Sequence, residues 1–249
     1  MASTSSTASI TAETPVGEIV AADPGAARVF EALQIDFCCG GKQALEVVCE
    51  ERGLDATTVI AMIAAAERLP AAGGDHDLSG ASIGEICDHI VSAHHEPTRE
   101  QLVRIGELAA KVDRAHGAER PALVELHARF DALNADMTAH MDTEERTLFP
   151  ACREPSTAIP AAKLESLLAE HEAEHAAVGE GLAELRALGG GYDESAALCN
   201  THRVLLHSLR EFEADTHQHV HEENNILFPR VRTELATEGS EPTPRRSIR

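Results

Sequence analysis

Apolar residues recur at three- and four-residue spacing along most of this chain, the period of a helix that buries one face. As far as residue 70 the pattern comes in short pieces. Asp23-Pro24 opens one helix, on which Val29 and Leu33 share a face, and the segment Asp36-Phe37-Cys38-Cys39-Gly40-Gly41-Lys42 closes it. Helical pattern resumes from 43 to about 53 and again from 55 to 69. Three or four short helices over residues 15–69 predict a small N-terminal helical domain, close to the lower size limit for an independent core.

Beyond residue 82 the periodic stretches lengthen. Ser82 and Glu85 have the spacing of a capping box and open a helix running to about 114. Pro121 opens a second, to about 151; Pro160 opens a third, which Gly189-Gly190-Gly191 ends; a fourth covers about 194–235. Four long amphipathic helices joined by short loops predict an up-down four-helix bundle over residues 82–235. Residues 1–14 read as a disordered lead-in, 70–81 (PAAGGDHDLSGA) as a linker, and 236–249 as a flexible tail.

Composition agrees with an all-α chain. There is no Trp, one Tyr and six Phe, so the core is left to Ala, Leu, Val and Ile. A net charge of −21 argues against nucleic acid and anionic membranes as partners. No run reaches the ~18 apolar residues of a membrane span. No Lys or Arg precedes Arg28, so no secretory signal is expected. Six cysteines scattered through a long helical chain point to a reducing cytoplasm, not to a disulfide scaffold.

The chemistry lies in a sequence that occurs twice. His140-x-x-x-Glu144 ends in Leu148-Phe149-Pro150, and His219-x-x-x-Glu223 ends in Leu227-Phe228-Pro229, every matched position shifted by one constant offset. A His and a Glu four apart lie on one helical face, an imidazole and a carboxylate fit to bind one metal. His95 and His175, separated by nearly the same offset, extend the repeat to the first and third helices. Two hairpins related by a pseudo-two-fold axis would aim four imidazoles and two carboxylates at the bundle centre. That set suits two metal ions with bridging glutamates; iron is the expected metal and a dinuclear zinc site the alternative. His94 competes with His95 and His171 with His175, the repeat favouring the second of each pair; of His217, His219 and His221 only His219 pairs with a Glu. His76, His89, His127, His202 and His207 receive no role. Each Leu-Phe-Pro is read as packing the bundle end, with Pro breaking the regular hydrogen bonding.

Adjacent Cys38 and Cys39 fit neither an unstrained disulfide nor a C-x-x-C zinc pattern. If Gln43 began the next helix, the preceding amides would favour thiolates able to bind a soft ion, NO or a partner thiol. Two buried cysteines in a Gly-permitted turn is an equal reading.

The two motifs together resemble the iron-sulfur cluster repair di-iron family, also called regulators of iron centres. Its Asp-[Tyr/Phe]-Cys-Cys-Gly-Gly-Lys segment is matched by residues 36–42. Its hemerythrin-like bundle is matched by His95 near Arg99-Glu100-Gln101-Leu102, by His140 and Glu144, by Glu174-His175, and by His219 and Glu223. The likeness covers about residues 15–233. It implies a non-haem pair of iron ions, bridged by glutamate and open to an oxo bridge, on His95, His140, Glu144, His175, His219 and Glu223. His116 and Glu174 match positions that support the ligands in relatives, whereas Thr98 stands where some relatives carry a further His. The resemblance implies repair of clusters damaged by nitric oxide or oxidants, by iron donation more than by turnover. Damaged iron-sulfur proteins would then be the clients, Cys38 and Cys39 a thiol relay for iron or NO, and the protein a cytoplasmic monomer or homodimer. Reduction of NO at the same centre, or reversible O2 or NO binding and sensing, are the competing functions.

Overall fold

The computed structural model describes residues 10–66, 78, 80–155 and 158–238. Among these the chain is helical without a strand, apart from one isolated bridge between Pro15 and Ala44. Four short helices form the N-terminal unit: α1 (Val16–Ala22), α2 (Ala26–Leu33), α3 (Leu45–Glu51) and α4 (Ala56–Ala66). The hydrophobic pattern does not mark α1, whose two turns are too short to show a period. Its Val16, Ile19 and Val20 nevertheless anchor the unit's core with Phe30, Phe37, Leu45 and Ile63. The lead-in expected over 1–14 is partly folded. Leu45 N donates to Thr14 O at 3.0 Å and Glu46 N to Ala12 O at 2.8 Å; residues 1–9 lie outside the described part.

The four long helices follow in the expected order, and three of them carry a π turn. The first is α5 (Ile83–Ile90), a π-helical turn (Val91–His95) and α6 (Glu96–His116) in one rod. The second is α7 (Pro121–Thr143), a π turn (Glu144–Leu148) and α8 (Phe149–Arg153); the third is α9 (Ala161–Leu188). The fourth is α10 (Asn200–His221), a π turn (Glu222–Leu227) and α11 (Phe228–Glu238). It starts at Asn200, not near 194, because two 3-10 turns, Gly190–Tyr192 and Glu194–Ala196, fill the gap. Its end at Glu238 takes in the first residues expected in the tail. The predicted capping box is formed: Glu85 N donates to Ser82 Oγ at 3.3 Å and Ser82 N to Glu85 Oε2 at 2.7 Å.

The prolines do not end the helices. Pro97, Pro150 and Pro229 each stand two positions past a π turn. A proline crowds the carbonyl four residues back and offers it no N–H. Those carbonyls belong to Ala93, Arg146 and Asn225, all within the π turns, whose wider loop accommodates the conflict while the rod continues.

Antiparallel neighbours pack α6 against α7 and α10, and α9 against α7 and α10. The apolar interior is split in two. Leu102, Ile105, Phe130, Leu182 and Phe212 fill one end; Ile86, Ile90, Phe149, Leu164 and Phe228 fill the other. A layer of buried His and Glu separates them. The N-terminal unit docks beside that layer, with Val220 of α10 entering its core and Phe37 against His221, ring centroids 5.6 Å apart. Most of the expected linker lies outside the described residues, but its end is fixed: Leu78 is buried, and Arg230 donates to Leu78 O at 2.6 Å and to Ala81 O. No helix among the described residues is long and apolar enough to cross a membrane.

Candidate metal centre

The six side chains singled out by the repeat converge in the polar layer as two overlapping groups. His95, Glu144, His219 and Glu223 form one; His140, Glu144, His175 and Glu223 form the other. His95 Nε2 is 3.2 Å from His219 Nε2, and His140 Nε2 is 3.1 Å from His175 Nε2. Each glutamate divides its oxygens between the groups. Glu144 Oε2 lies 3.3 Å from His95 and its Oε1 2.9 Å from His140. Glu223 Oε1 lies 3.3 Å from His219 and its Oε2 2.9 Å from His175. The pairing thus runs across the hairpins, helix one with four and helix two with three, as a two-fold axis requires.

Both oxygens of Glu144 and of Glu223 are buried and make no hydrogen bond, although imidazole nitrogens crowd them. An ionised carboxylate left that way in a protein interior is strongly unfavourable unless cations meet it. Four orphaned oxygens facing four imidazole nitrogens fit a pair of transition-metal ions.

The outer nitrogens are held by a second ring of groups. His95 Nδ1 meets Glu145 Oε1 at 2.9 Å, His140 Nδ1 meets Glu174 Oε2 at 2.8 Å, and His175 Nδ1 meets Asn224 Oδ1 at 2.9 Å. Such acceptors fix the tautomer that turns the Nε2 lone pair inward. Glu145 and Asn224 are repeat mates, so one half carries a charged acceptor where the other carries a neutral amide. The mate of Glu174 is His94, which stacks on His219 with centroids 5.5 Å apart and leaves His219 Nδ1 without an acceptor. The two halves are therefore related but unequal.

Electrostatics follow the geometry. Burial raises the Glu144 pKa, yet His140, His175 and His95 outweigh it and hold the carboxyl well below its ordinary value. For Glu223, burial and Glu144 push up while His219 and His175 pull down, to about 2. Burial alone would lower the His175 pKa; Glu144 and Glu223 reverse that and raise it well above the usual range.

The remaining candidates sort differently. Glu174 sits where expected, on His140. His116 does not: it closes the 21-residue helix that follows His95, roughly 30 Å along the rod, with its Nε2 3.3 Å from Cys199 Sγ. His171 is buried beside His140, with Nδ1 on Leu167 O at 2.9 Å. His94 and His95 are both buried, but only His95 joins the groups around Glu144 and Glu223, while His94 turns to Asp215 and Glu222. On the fourth helix, His217 and His221 share the opposite face from His219 and meet the N-terminal unit, His217 Nδ1 lying 2.6 Å from Glu31 Oε1. Residue spacing missed Asn224, Asn225 and Glu145; an alignment of the two halves could have pointed to 145 and 224 as the positions following each Glu.

The Cys-Cys turn rests on this centre. Asn225 Nδ2 donates to Cys38 O at 3.0 Å and Phe37 O at 3.2 Å, and Asn224 Nδ2 to Cys38 O at 3.4 Å. Cys39 Sγ reaches the His175 carbonyl at 3.5 Å. The next helix begins at Leu45, so its amides are not what the thiols face. The turn's own amides, from Cys38, Cys39 and Gly40, donate to Asp36 at 2.9–3.1 Å. Within the pair, Cys38 hydrogen-bonds Cys39 at 3.8 Å, which with burial raises the Cys38 pKa well above normal and lowers that of Cys39. Cys39 is the more acidic thiol of the two. It opens on a cleft of about 760 Å³ between the unit and the bundle, lined also by Arg186, Tyr192, Glu213 and His217.

Comparison with known proteins gives two family matches along the chain. Residues 12–67 match the ScdA_N family, a domain of unknown function, and residues 88–231 match the hemerythrin HHE cation binding domain. The chain is 30% identical over 223 residues to a probable iron-sulfur cluster repair protein of Haemophilus influenzae, covering 90% of this chain and 98% of that one. It is 33% identical over 216 residues to the iron-sulfur cluster repair protein YtfE of Yersinia pseudotuberculosis, covering 87% and 95%, with the same figures for that of Yersinia pestis.

Proposed function

Because this chain belongs to the iron-sulfur cluster repair proteins that join an ScdA_N unit to a hemerythrin bundle, we propose that it holds two iron ions and supplies iron to clusters damaged by nitric oxide or oxidants. The observation that carries this reading is the sharing of Glu144 and Glu223 between the two imidazole pairs. His95 and His219 would hold one ion, His140 and His175 the other, with both carboxylates bridging. Bound iron supplies a redox-active Lewis acid and, as cargo, the metal a damaged cluster lacks.

The residues favour release as well as capture. Two carboxylate charges stand against two divalent cations, so the interior keeps excess positive charge that carboxylate-rich sites would neutralise. Glu145, Glu174 and Asn224 orient three of the imidazoles, which keeps the site formed while ions come and go. The Cys39 thiol, against the His175 backbone and open to the cleft, would receive iron or NO on the way to a client iron-sulfur protein in the cytoplasm.

A second reading has its own support. A cleft of about 320 Å³ lined by Leu133, Val178, Gly181 and His140 reaches the site from another side. Leu133, Val178 and Gly181 make an apolar stretch among Arg129, Asp136, Thr143 and Glu174, and that stretch suits a diatomic gas, and so NO reduction or reversible O2 or NO binding.

Anaerobic purification with metal analysis tests the central reading: two irons per chain are expected, reduced in Glu144→Ala and in Glu223→Ala. Iron content unchanged in both variants overturns it. Reactivation of an NO-damaged cluster protein, with iron lost in step, separates donation from turnover to nitrous oxide. A Cys38/Cys39 double Ala variant that repairs as well as wild type removes the relay.

A further inference from the structure

A second cluster of metal-ligating atoms lies outside the six-residue centre. His89 Nε2 and His94 Nε2 are each 3.3 Å from Glu222 Oε2, and the donor atoms of the three residues lie within 4.8 Å of one another. His94 follows His89 by five positions, which on a regular α-helix would turn them roughly 140° apart. The π turn Val91–His95 brings them back to one face, and Glu222 opens the corresponding π turn of the fourth helix.

Both inner groups are fixed from behind. His94 Nδ1 is 3.1 Å from Asp215 Oδ1, which turns Nε2 toward Glu222. Gln218 Nε2 donates to Glu222 Oε1 at 3.2 Å, which leaves Oε2 to face the imidazoles. Neither His94 Nε2 nor Glu222 Oε2 makes a hydrogen bond, and the side chains are only 7% and 6% exposed. An imidazole nitrogen and a carboxylate oxygen facing each other in a buried place call for a proton or a metal ion between them. His89, 16% exposed, closes the cluster toward solvent. The His89 ring meets that of His94 at 5.9 Å, and His94 stacks on His219, so the cluster forms a step between the surface and the paired centre.

We propose that His89, His94 and Glu222 form a third, mononuclear site for a divalent transition-metal ion. Two imidazoles and one carboxylate, with positions left for water, suit such an ion at lower affinity than the shared centre. Its use as a station for iron entering or leaving rests on the iron-supply reading above; the binding itself does not.

The test loads the full chain anaerobically with Fe2+, removes the excess, and titrates with Co2+ while its visible bands and the metal count per chain are followed. Wild type is expected to take up one further equivalent of Co2+ with no loss of iron. His89→Gln and Glu222→Gln are each expected to weaken that uptake at least tenfold at unchanged iron content. In His89→Gln, release of iron to a chelator should also slow several-fold. Iron content reports the paired centre and cobalt uptake the third site, so the two readings fail separately. No further equivalent in wild type, or an equivalent unchanged in His89→Gln, overturns the proposal and leaves an imidazolium–carboxylate ion pair.

Discussion

Replacing Asn225 with Ala should free the Cys-Cys turn while leaving the bundle intact. The amide donates to Phe37 O and Cys38 O, both backbone groups of the turn, and also meets His221 Nδ1 at 3.2 Å. Cys38 O keeps the longer bond from Asn224, whereas Phe37 O and His221 Nδ1 lose their contact with the amide. One net hydrogen bond and one partly buried carbonyl left without that donor together cost about 1–2 kcal/mol. If that cost falls on docking, the undocked population rises about 5- to 30-fold. Cys38, 5% exposed, reports it directly. Its rate of alkylation, followed by mass spectrometry of the Cys38 peptide, should rise by that factor, while buried Cys87 and Cys152 in the bundle stay slow. An unchanged Cys38 rate, or an equal rise at Cys87, would refute the reasoning, since docking would then not depend on this amide.

The other predictions concern neighbouring contacts. Gly41→Ala puts a Cβ against Asn225 Oδ1 and 2.7 Å from Phe37 O, so the N-terminal unit should lose ~1–3 kcal/mol in denaturant titration. Removing metal should lower Tm, because the oxygens of Glu144 and Glu223 then have no cation; scanning calorimetry before and after chelation checks this. The His217–Glu31 contact carries a pH signature: burial lowers the His217 pKa, but Glu31 outweighs it and raises it above 6.5. A pKa raised on folding gives stability that is complete below ~6.5 and lost as pH rises through the folded value. The denaturation difference between wild type and Glu31→Gln should therefore shrink as pH rises, and a difference that grows would reverse the sign of the contact.

Much of the bundle is legible because helical period, capping residues and a constant offset between two halves are properties of the sequence alone. His140 with Glu144, and His219 with Glu223, need only the four-residue spacing of a helix to be paired. The distant His95 and His175 come from the internal repeat, which turns one half's pattern into a template for the other. His116 shows where that information stops: its distance from the centre depends on the rod's length and direction.

What the tertiary structure decided is the rotation of side chains around their helices. Spacing rules assume 3.6 residues per turn, and three π turns break that assumption at His95, Glu144 and Glu223. The extra residue in each turn explains how adjacent His94 and His95 are both buried, and how His89 comes to face Glu222. Docking of the N-terminal unit is likewise a tertiary result. Cys38 and Cys39 are far from His175 in sequence, and only Asn224 and Asn225, within the bundle's last π turn, bring them together. The sequence by itself determined the helices and the ligand types; the local widening of those helices and the packing of one unit on the other decided which atoms meet.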